Sequence, residues 1–113
     1  MEIEGNTKSF NCGGTIGAKE LVKMSTGNVV QNTDEGVPVG VAKYGGVAND
    51  VIAVRLWNAG GTIHCIAAGA ITAGAAVYAA ASGKIEAAGT AIIGYAMEAA
   101  GADGDIIEVL PAN

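Results

Sequence analysis

The side chains that could perform chemistry in this 113-residue chain are a single histidine, His64, and two cysteines, Cys12 and Cys65. Catalysis by a thiol requires an imidazole within hydrogen-bond reach that can accept the thiol proton. His64 and Cys65 are adjacent, and adjacent side chains of a strand point to opposite faces. A contact between His64 and Cys12 across strands is an alternative, but a polar histidine on an exposed strand face is the simpler interpretation. We therefore predict no catalytic residue and no enzymatic activity.

The segment around Lys84 contains part of a phosphate-binding loop. Such a loop needs a glycine, four further residues and then Gly-Lys-Ser/Thr, whose backbone amides and hydroxyl hold phosphate and magnesium. Gly83 and Lys84 supply the Gly-Lys pair, but Tyr78 occupies the position of the first glycine and Ile85 that of the hydroxyl. The segment is therefore predicted to be a turn, and no cofactor is expected.

Three aspartates, Asp50, Asp103 and Asp105, lie among turn residues. Aspartate in a turn commonly accepts hydrogen bonds from its own backbone. One histidine and two distant cysteines do not give the spacing of a zinc site. A weak surface calcium site at 103–105 is the alternative, and we predict no metal ligand.

The charge of the chain excludes several classes of partner. Its formal net charge is -5, and its six lysines and arginines are scattered singly, whereas nucleic-acid binding needs a basic patch. No apolar run has the length of a membrane span, and the start of the chain is acidic where a signal peptide would be basic. These features predict a protein made and folded in a cytoplasm, with no membrane and no nucleic acid as partner. Free thiols are the default there, although pairing of the two cysteines stays open.

The apolar residues of the chain are unusually small. Half of the residues are hydrophobic but only 4% are aromatic, and alanine and glycine account for 22 and 18 residues. A core of methyl-sized side chains must be thin and closely packed, or shared between subunits.

Four blocks of sequence recur in the same order at an offset of about 55 residues. The blocks of the first copy are 16–22, 27–30, 39–42 and 49–54, and those of the second are 71–77, 83–86, 93–96 and 104–109. A Gly- and Ala-rich chain can align with itself by composition alone, but matched turn glycines in four ordered blocks favour an internal duplication. We predict an N-terminal arm over 1–9 and one β domain over 10–113, with repeats at about 10–57 and 65–110.

Short apolar or alternating runs, separated by Gly, Asn, Asp and Ser, predict strands. The runs are Glu20–Met24, Val37–Ala42, Val51–Trp57, Thr62–Ala67, Ala91–Ala96 and Asp105–Leu110. Their spacing predicts an all-β fold, a small β-barrel or β-sandwich built from two similar halves with at most one short helix. The alanine-rich segment 67–82 could form a helix, but Gly69 and Gly74 would each cost about 1 kcal/mol there, and we favour strand. A single helical turn within 96–102 is a further alternative.

The second half of the chain also carries a family likeness. The residues that carry it are Gly69-Ala70-Ile71, Gly74, Val77-Tyr78, 82–85, Gly89, 93–100 and 103–109. In these strand and turn motifs the chain resembles the small capsid decoration (cement) proteins of tailed bacteriophages and prophages. The resemblance extends from about Phe10 onward and is firmest from Gly69 to Leu110. It implies a virion protein on the capsid exterior, often a homotrimer, which braces contacts between subunits of the major capsid protein. It transfers no catalytic or contact residue.

Three side chains, Trp57, Arg55 and Tyr44, are predicted to contact the capsid or another subunit, because these residue types dominate interface energetics. Trp57 could equally be the largest core residue. The N-terminal arm could become ordered on the capsid or could be a frayed terminus. A carbohydrate- or cell-surface-binding β-module is the alternative function.

Overall fold

The structure, a computed structural model, describes residues 7–33, 38–57, 59–89 and 91–112. It confirms the all-β prediction. The strands are β1 (Thr7–Asn11), β2 (Leu21–Ser25), β3 (Asn28–Gln31), β4 (Gly40–Ala42), β5 (Val51–Leu56), β6 (Ile63–Ile66), β7 (Ala76–Ala79), β8 (Ile85–Glu86), β9 (Ile92–Ala96) and β10 (Ile106–Pro111).

Two antiparallel sheets of five strands each contain these elements, and the two sheets have the same topology. The strand order is β1-β5-β4-β2-β3 in the first sheet and β6-β10-β9-β7-β8 in the second. Each strand of the first sheet thus has its equivalent five strands later, as the internal duplication predicts.

The register of the strands is duplicated as well. Leu21 pairs with Val41 in the first sheet, and Ala76 pairs with Tyr95 in the second. Outside the named strands, the bridge between Ile16 and Gly46 has its equivalent in the bridge between Ile71 and Ala100. The two copies therefore correspond residue by residue, at offsets of about 55.

Each half has its own hydrophobic core, and seven core positions correspond. The first core contains Cys12, Ile16, Val22, Val29, Ala42, Ile52 and Val54. Their equivalents in the second half, all in the other core, are Ala67, Ile71, Val77, Ile85, Ala96, Ile107 and Val109. The second core also includes Leu21 and Val41 from the first half, which packs one face of its sheet against the second half.

The alanine-rich segment that could have been helical forms β7 and a short 3₁₀ turn, Ala81–Gly83. The helical alternative for 67–82 is therefore wrong except for this single turn. Residues 97–102 contain bends and an isolated bridge, so the alternative of a helical turn there is also wrong.

The first strand was not anticipated. Residues 7–9, which the sequence analysis assigned to the N-terminal arm, lie in β1 and pair with β5, Thr7 opposite Arg55 and Ser9 opposite Ala53. The remainder of that arm, residues 1–6, and Val37 at the start of one predicted strand lie outside the described residues.

Candidate binding surfaces

His64 and Cys65 are adjacent in β6 but do not lie on the same face of the sheet. His64 is exposed while its neighbour Cys65 is buried, so their side chains point to opposite faces as predicted. Cys12 is also buried, and both cysteines are free thiols. Burial raises the pKa of Cys65 to about 12, and burial together with the nearby Asp50 carboxylate raises the pKa of Cys12. At neutral pH both thiols are held in the protonated form, which is a poor nucleophile.

The raised pKa of Cys65 makes the stability of the fold sensitive to alkaline pH. An exposed thiol in the unfolded chain loses its proton near pH 8.5, whereas the folded chain keeps it up to about pH 12. The unfolded state therefore binds fewer protons in this interval, and the free energy of unfolding should fall by roughly 1.4 kcal/mol per pH unit. Denaturant titrations between about pH 8 and 11 measure this slope.

The variant Cys65→Ala provides the control for that experiment, because the pKa of Cys12 is raised as well and adds to the alkaline slope of both proteins. Its stability at pH 8 is expected to be lower, since a buried side chain has been shortened, but its alkaline slope should be shallower than that of the wild type. Equal slopes in the two proteins would contradict the assignment to Cys65.

The aspartates in the turns bind backbone amides. Asp50 Oδ2 accepts a hydrogen bond from the Val47 amide at 3.0 Å, and the equivalent Asp105 Oδ2 accepts from Gly101 at 2.8 Å and Ala102 at 3.1 Å. Asp103 forms an ion pair with Lys84 at 2.8 Å. Within the described residues, no three His, Cys, Asp or Glu side chains lie close enough together to hold a metal ion. Asp50 and Asp105 thus bind the backbone of the two equivalent turns, as the sequence predicted, whereas Asp103 pairs with a lysine instead.

A cleft of about 230 Å³ lies at the junction of the two halves and is lined by Lys19, Lys43, Arg55 and His64 together with Val41, Ala42, Thr62 and Ile63. Three of the six basic residues of an acidic chain therefore meet here. Arg55 is half-buried and its guanidinium donates hydrogen bonds to the backbone carbonyls of Leu56, Gly60 and Thr62. Arg55 thus stabilises the segment that connects the two halves.

The other two predicted contact residues lie in contrasting environments. Tyr44 follows β4 and is 52% exposed, so it is available to a partner. Trp57 is only 1% exposed, and its indole Nε1 donates a hydrogen bond to the Ile93 carbonyl at 3.0 Å. In the single chain Trp57 thus lies in the core and shares no exposed surface with Arg55 and Tyr44. Contact of these three residues with the capsid or another subunit stays a prediction.

A different surface, on the outside of the second sheet, exposes apolar side chains that sequence reasoning missed. We call it the second-sheet face, and its residues are Ala76, Tyr78, Ile92, Tyr95, Ile106 and Leu110. Tyr95 lies opposite Leu110 on one side and Ala76 on the other, so the three side chains form a row across the sheet. Four of the six residues are exposed, and Tyr95 is 43% exposed. Contiguous exposed apolar surface of this kind commonly marks a protein contact.

No helix in the described part of the chain has the length and hydrophobicity needed to cross a membrane. The duplicated sheets and the second-sheet face define the class of this protein: a small all-β module with a surface suited to contacts with other proteins. The chain belongs to the phage cement protein family, whose model matches residues 5–111. It is thus a structural protein of the phage virion, associated with the capsid.

A solved structure supports the same fold. The head fiber gp8.5 N base of bacteriophage phi29 is similar to this chain with a TM-score of 0.80 at 18% sequence identity, over 94% of this chain and 92% of that one. At this identity the likeness concerns the fold. A search of curated proteins gives no match.

Proposed function

We propose that this protein decorates the outside of the phage head, where it binds the major capsid protein, braces contacts between its subunits, and acts as a homotrimer made in the host cytoplasm. The observation that carries this proposal is the match of nearly the whole chain, residues 5–111, to the phage cement family. The phi29 protein that shares the fold is itself part of a phage head fiber, which agrees with this role.

The surface of the molecule is consistent with this role. Net negative charge limits non-specific aggregation of the free protein before it docks, while the second-sheet face offers apolar area for a contact. Many copies on one lattice also multiply a modest affinity by avidity.

The alternative of a carbohydrate-binding module receives less support. Such modules usually stack sugar rings on exposed aromatic side chains, and this chain has five aromatic residues: one Trp, one Phe and three Tyr. All five lie in the described part of the chain, and only Tyr44 and Tyr95 are exposed. They belong to different halves, which gives no shared platform for a sugar.

Capsids of the cognate phage that lack the decoration protein provide the direct test. Purified protein is expected to bind them saturably, as measured by co-sedimentation, and to raise the temperature at which the shells break, as measured by calorimetry. Capsids already carrying their full complement of this protein are the control and should bind no more. Absence of binding to the undecorated shell would contradict the proposed function.

A further inference from the structure

The packing of the first half against the second buries part of one face of the first sheet, although Val51 at the end of β5 stays exposed. Leu21 and Val41, paired on that face, are 0% and 3% exposed and belong to the core cluster of the second half. Their equivalents in the second half are Ala76 and Tyr95, which lie on the second-sheet face. Within the described residues, the buried pair Leu21 and Val41 is therefore matched on the second sheet by a half-buried Ala76 and an exposed Tyr95.

Two elements of the second half approach the first sheet: β6, which lies near β4, and the turn between β7 and β8, which contacts the ends of β2 and β3. The Gly83 amide donates a hydrogen bond to the Asn32 carbonyl at 3.1 Å. A Cβ placed on Gly83 would lie 2.8 Å from Glu20 Cβ and 3.2 Å from the Leu21 carbonyl oxygen, so the two halves are in close contact here. Gly83 is buried in this contact.

The first half contains the same turn, and no other described segment packs against it. Thr26 and Gly27 have φ values of 46° and 87°, and their equivalents Ser82 and Gly83 have 63° and 73°. We call Met24, Ser25, Thr26 and Gly27 the first-half turn. All four residues are exposed, Met24 to 47%, and a Cβ on Gly27 would meet nothing within 4 Å.

Each chain therefore contains one packed contact between its two halves. It also exposes the two surfaces that an equivalent second contact would need, the first-half turn and the second-sheet face. From this arrangement we propose that copies of this protein associate head to tail, with the first-half turn of one copy packed on the second-sheet face of the next. Such a contact is heterologous, and it closes into a ring where the rotation between copies permits. The proposal rests on the self-association proposed above and adds the two surfaces and their polarity.

Charge favours the same pairing. Lys23 adjoins the first-half turn, and its ammonium group has no carboxylate partner among the described residues. Glu86 pairs with Tyr78 at the edge of the second-sheet face, and Glu108 lies between Ile106 and Leu110 on it. A cation on one surface and carboxylates on the other would attract in a head-to-tail contact, whereas two second-sheet faces would bring carboxylates together.

The contact between copies should be weaker than the contact within the chain. Trp57, which joins the two halves through its hydrogen bond to Ile93, has Ala112 as its equivalent. Both residues donate their backbone amide in the same way, Trp57 to Val39 and Ala112 to Ile93. Because the second half lacks the indole, association is expected to be reversible and dependent on concentration.

Light scattering and sedimentation of the purified chain test the proposal. The wild type should show a multiple of its 11.1 kDa mass at high concentration. Tyr95→Lys in the second-sheet face and Met24→Lys in the first-half turn should each weaken association by about tenfold or more. Val47→Lys, at an exposed apolar residue outside both surfaces, is the matched control and should associate as the wild type does. Circular dichroism and thermal unfolding establish that each variant is folded.

Mixing the two defective variants distinguishes a head-to-tail contact from a symmetric one. Tyr95→Lys retains an intact first-half turn and Met24→Lys retains an intact second-sheet face, so the mixture should form heterodimers and nothing larger. A wild type that stays monomeric, an associating Met24→Lys variant, or a mixture without heterodimers would each overturn the proposal. Binding to undecorated capsids tests the proposed function separately from self-association. If the wild type is monomeric and Tyr95→Lys no longer binds these capsids, the second-sheet face contacts the capsid and not a second copy.

Discussion

Replacing Gly40 with alanine is expected to destabilise the fold by about 3 kcal/mol or more, since the added methyl group has no room. Gly40 lies in β4 opposite Leu56 of β5. A Cβ at this position would overlap the Arg55 carbonyl oxygen and lie 2.7 Å from Val54 Cγ1. The backbone oxygen cannot rotate away as a side chain could, so the two strands would have to separate.

The duplication supplies matched variants for this experiment. Gly94 is the equivalent of Gly40, and a Cβ there would lie 2.7 Å from the Leu110 carbonyl oxygen, so Gly94→Ala should also be destabilising. Gly14 and its equivalent Gly69 have nothing within 4 Å of a Cβ, and neither has a positive φ. Alanine at Gly14 or Gly69 should be neutral or stabilise by a few tenths of a kcal/mol. Urea titrations of the four variants give the comparison, and a Gly40→Ala protein as stable as Gly14→Ala would contradict the steric argument.

This steric requirement explains a repeated motif. The chain reads Val39-Gly40-Val41-Ala42 in the first half and Ile93-Gly94-Tyr95-Ala96 in the second. The sequence alone shows only that glycine recurs within an apolar run, where it usually weakens a strand. The structure adds the reason: in both sheets the neighbouring strand approaches the glycine so closely that a side chain is excluded.

Much of the fold could be predicted because the sequence pattern of one half is repeated in the other. Six apolar runs separated by turn residues correspond to β2, β4, β5, β6, β9 and β10, and the agreement between copies supported the choice of strand over helix around Ala76–Ala79. The helical propensity of alanine is overridden there by pairing of β7 with β9 on one side and β8 on the other.

The first strand could not be predicted from its own residues. Thr7–Asn11 contains one apolar side chain, Phe10, and so lacks the alternation that indicates a strand. Its partner β5 lies about 45 residues further along the chain. Predicting β1 would have required the comparison with its equivalent β6, which pairs with β10 as β1 pairs with β5.

The exposed second-sheet face was missed for a related reason. Tyr95 and Leu110 lie in runs where nearly every residue is apolar, and residue types do not tell which face of such a strand is covered. The choice of Trp57, Arg55 and Tyr44 followed the residue types common in interfaces, and it could not distinguish a tryptophan that joins two halves of one chain from one that contacts another protein. That distinction depends on how the halves pack.

The connection made by Trp57 leads to the second large effect. Trp57→Ala removes the largest fully buried side chain of the described residues and leaves a cavity between the two halves. Truncation of a buried aromatic residue costs about 3–5 kcal/mol, a large part of the 5–15 kcal/mol that holds a domain together. For a chain of this size, 4 kcal/mol corresponds to a fall in Tm on the order of 15 °C.

The variant Trp57→Phe separates packing from hydrogen bonding at this junction. It retains an aromatic ring but loses the Nε1 donor, and the Ile93 carbonyl keeps its second hydrogen bond, from the Ala112 amide at 2.9 Å. Its cost should therefore be smaller, about 1–2 kcal/mol. Because Trp57 links the halves, Trp57→Ala should also uncouple them, so calorimetry is expected to show a broadened transition with a van't Hoff enthalpy below the calorimetric one. A single sharp transition with Tm within a few degrees of the wild type would show that the sheets hold together without the indole.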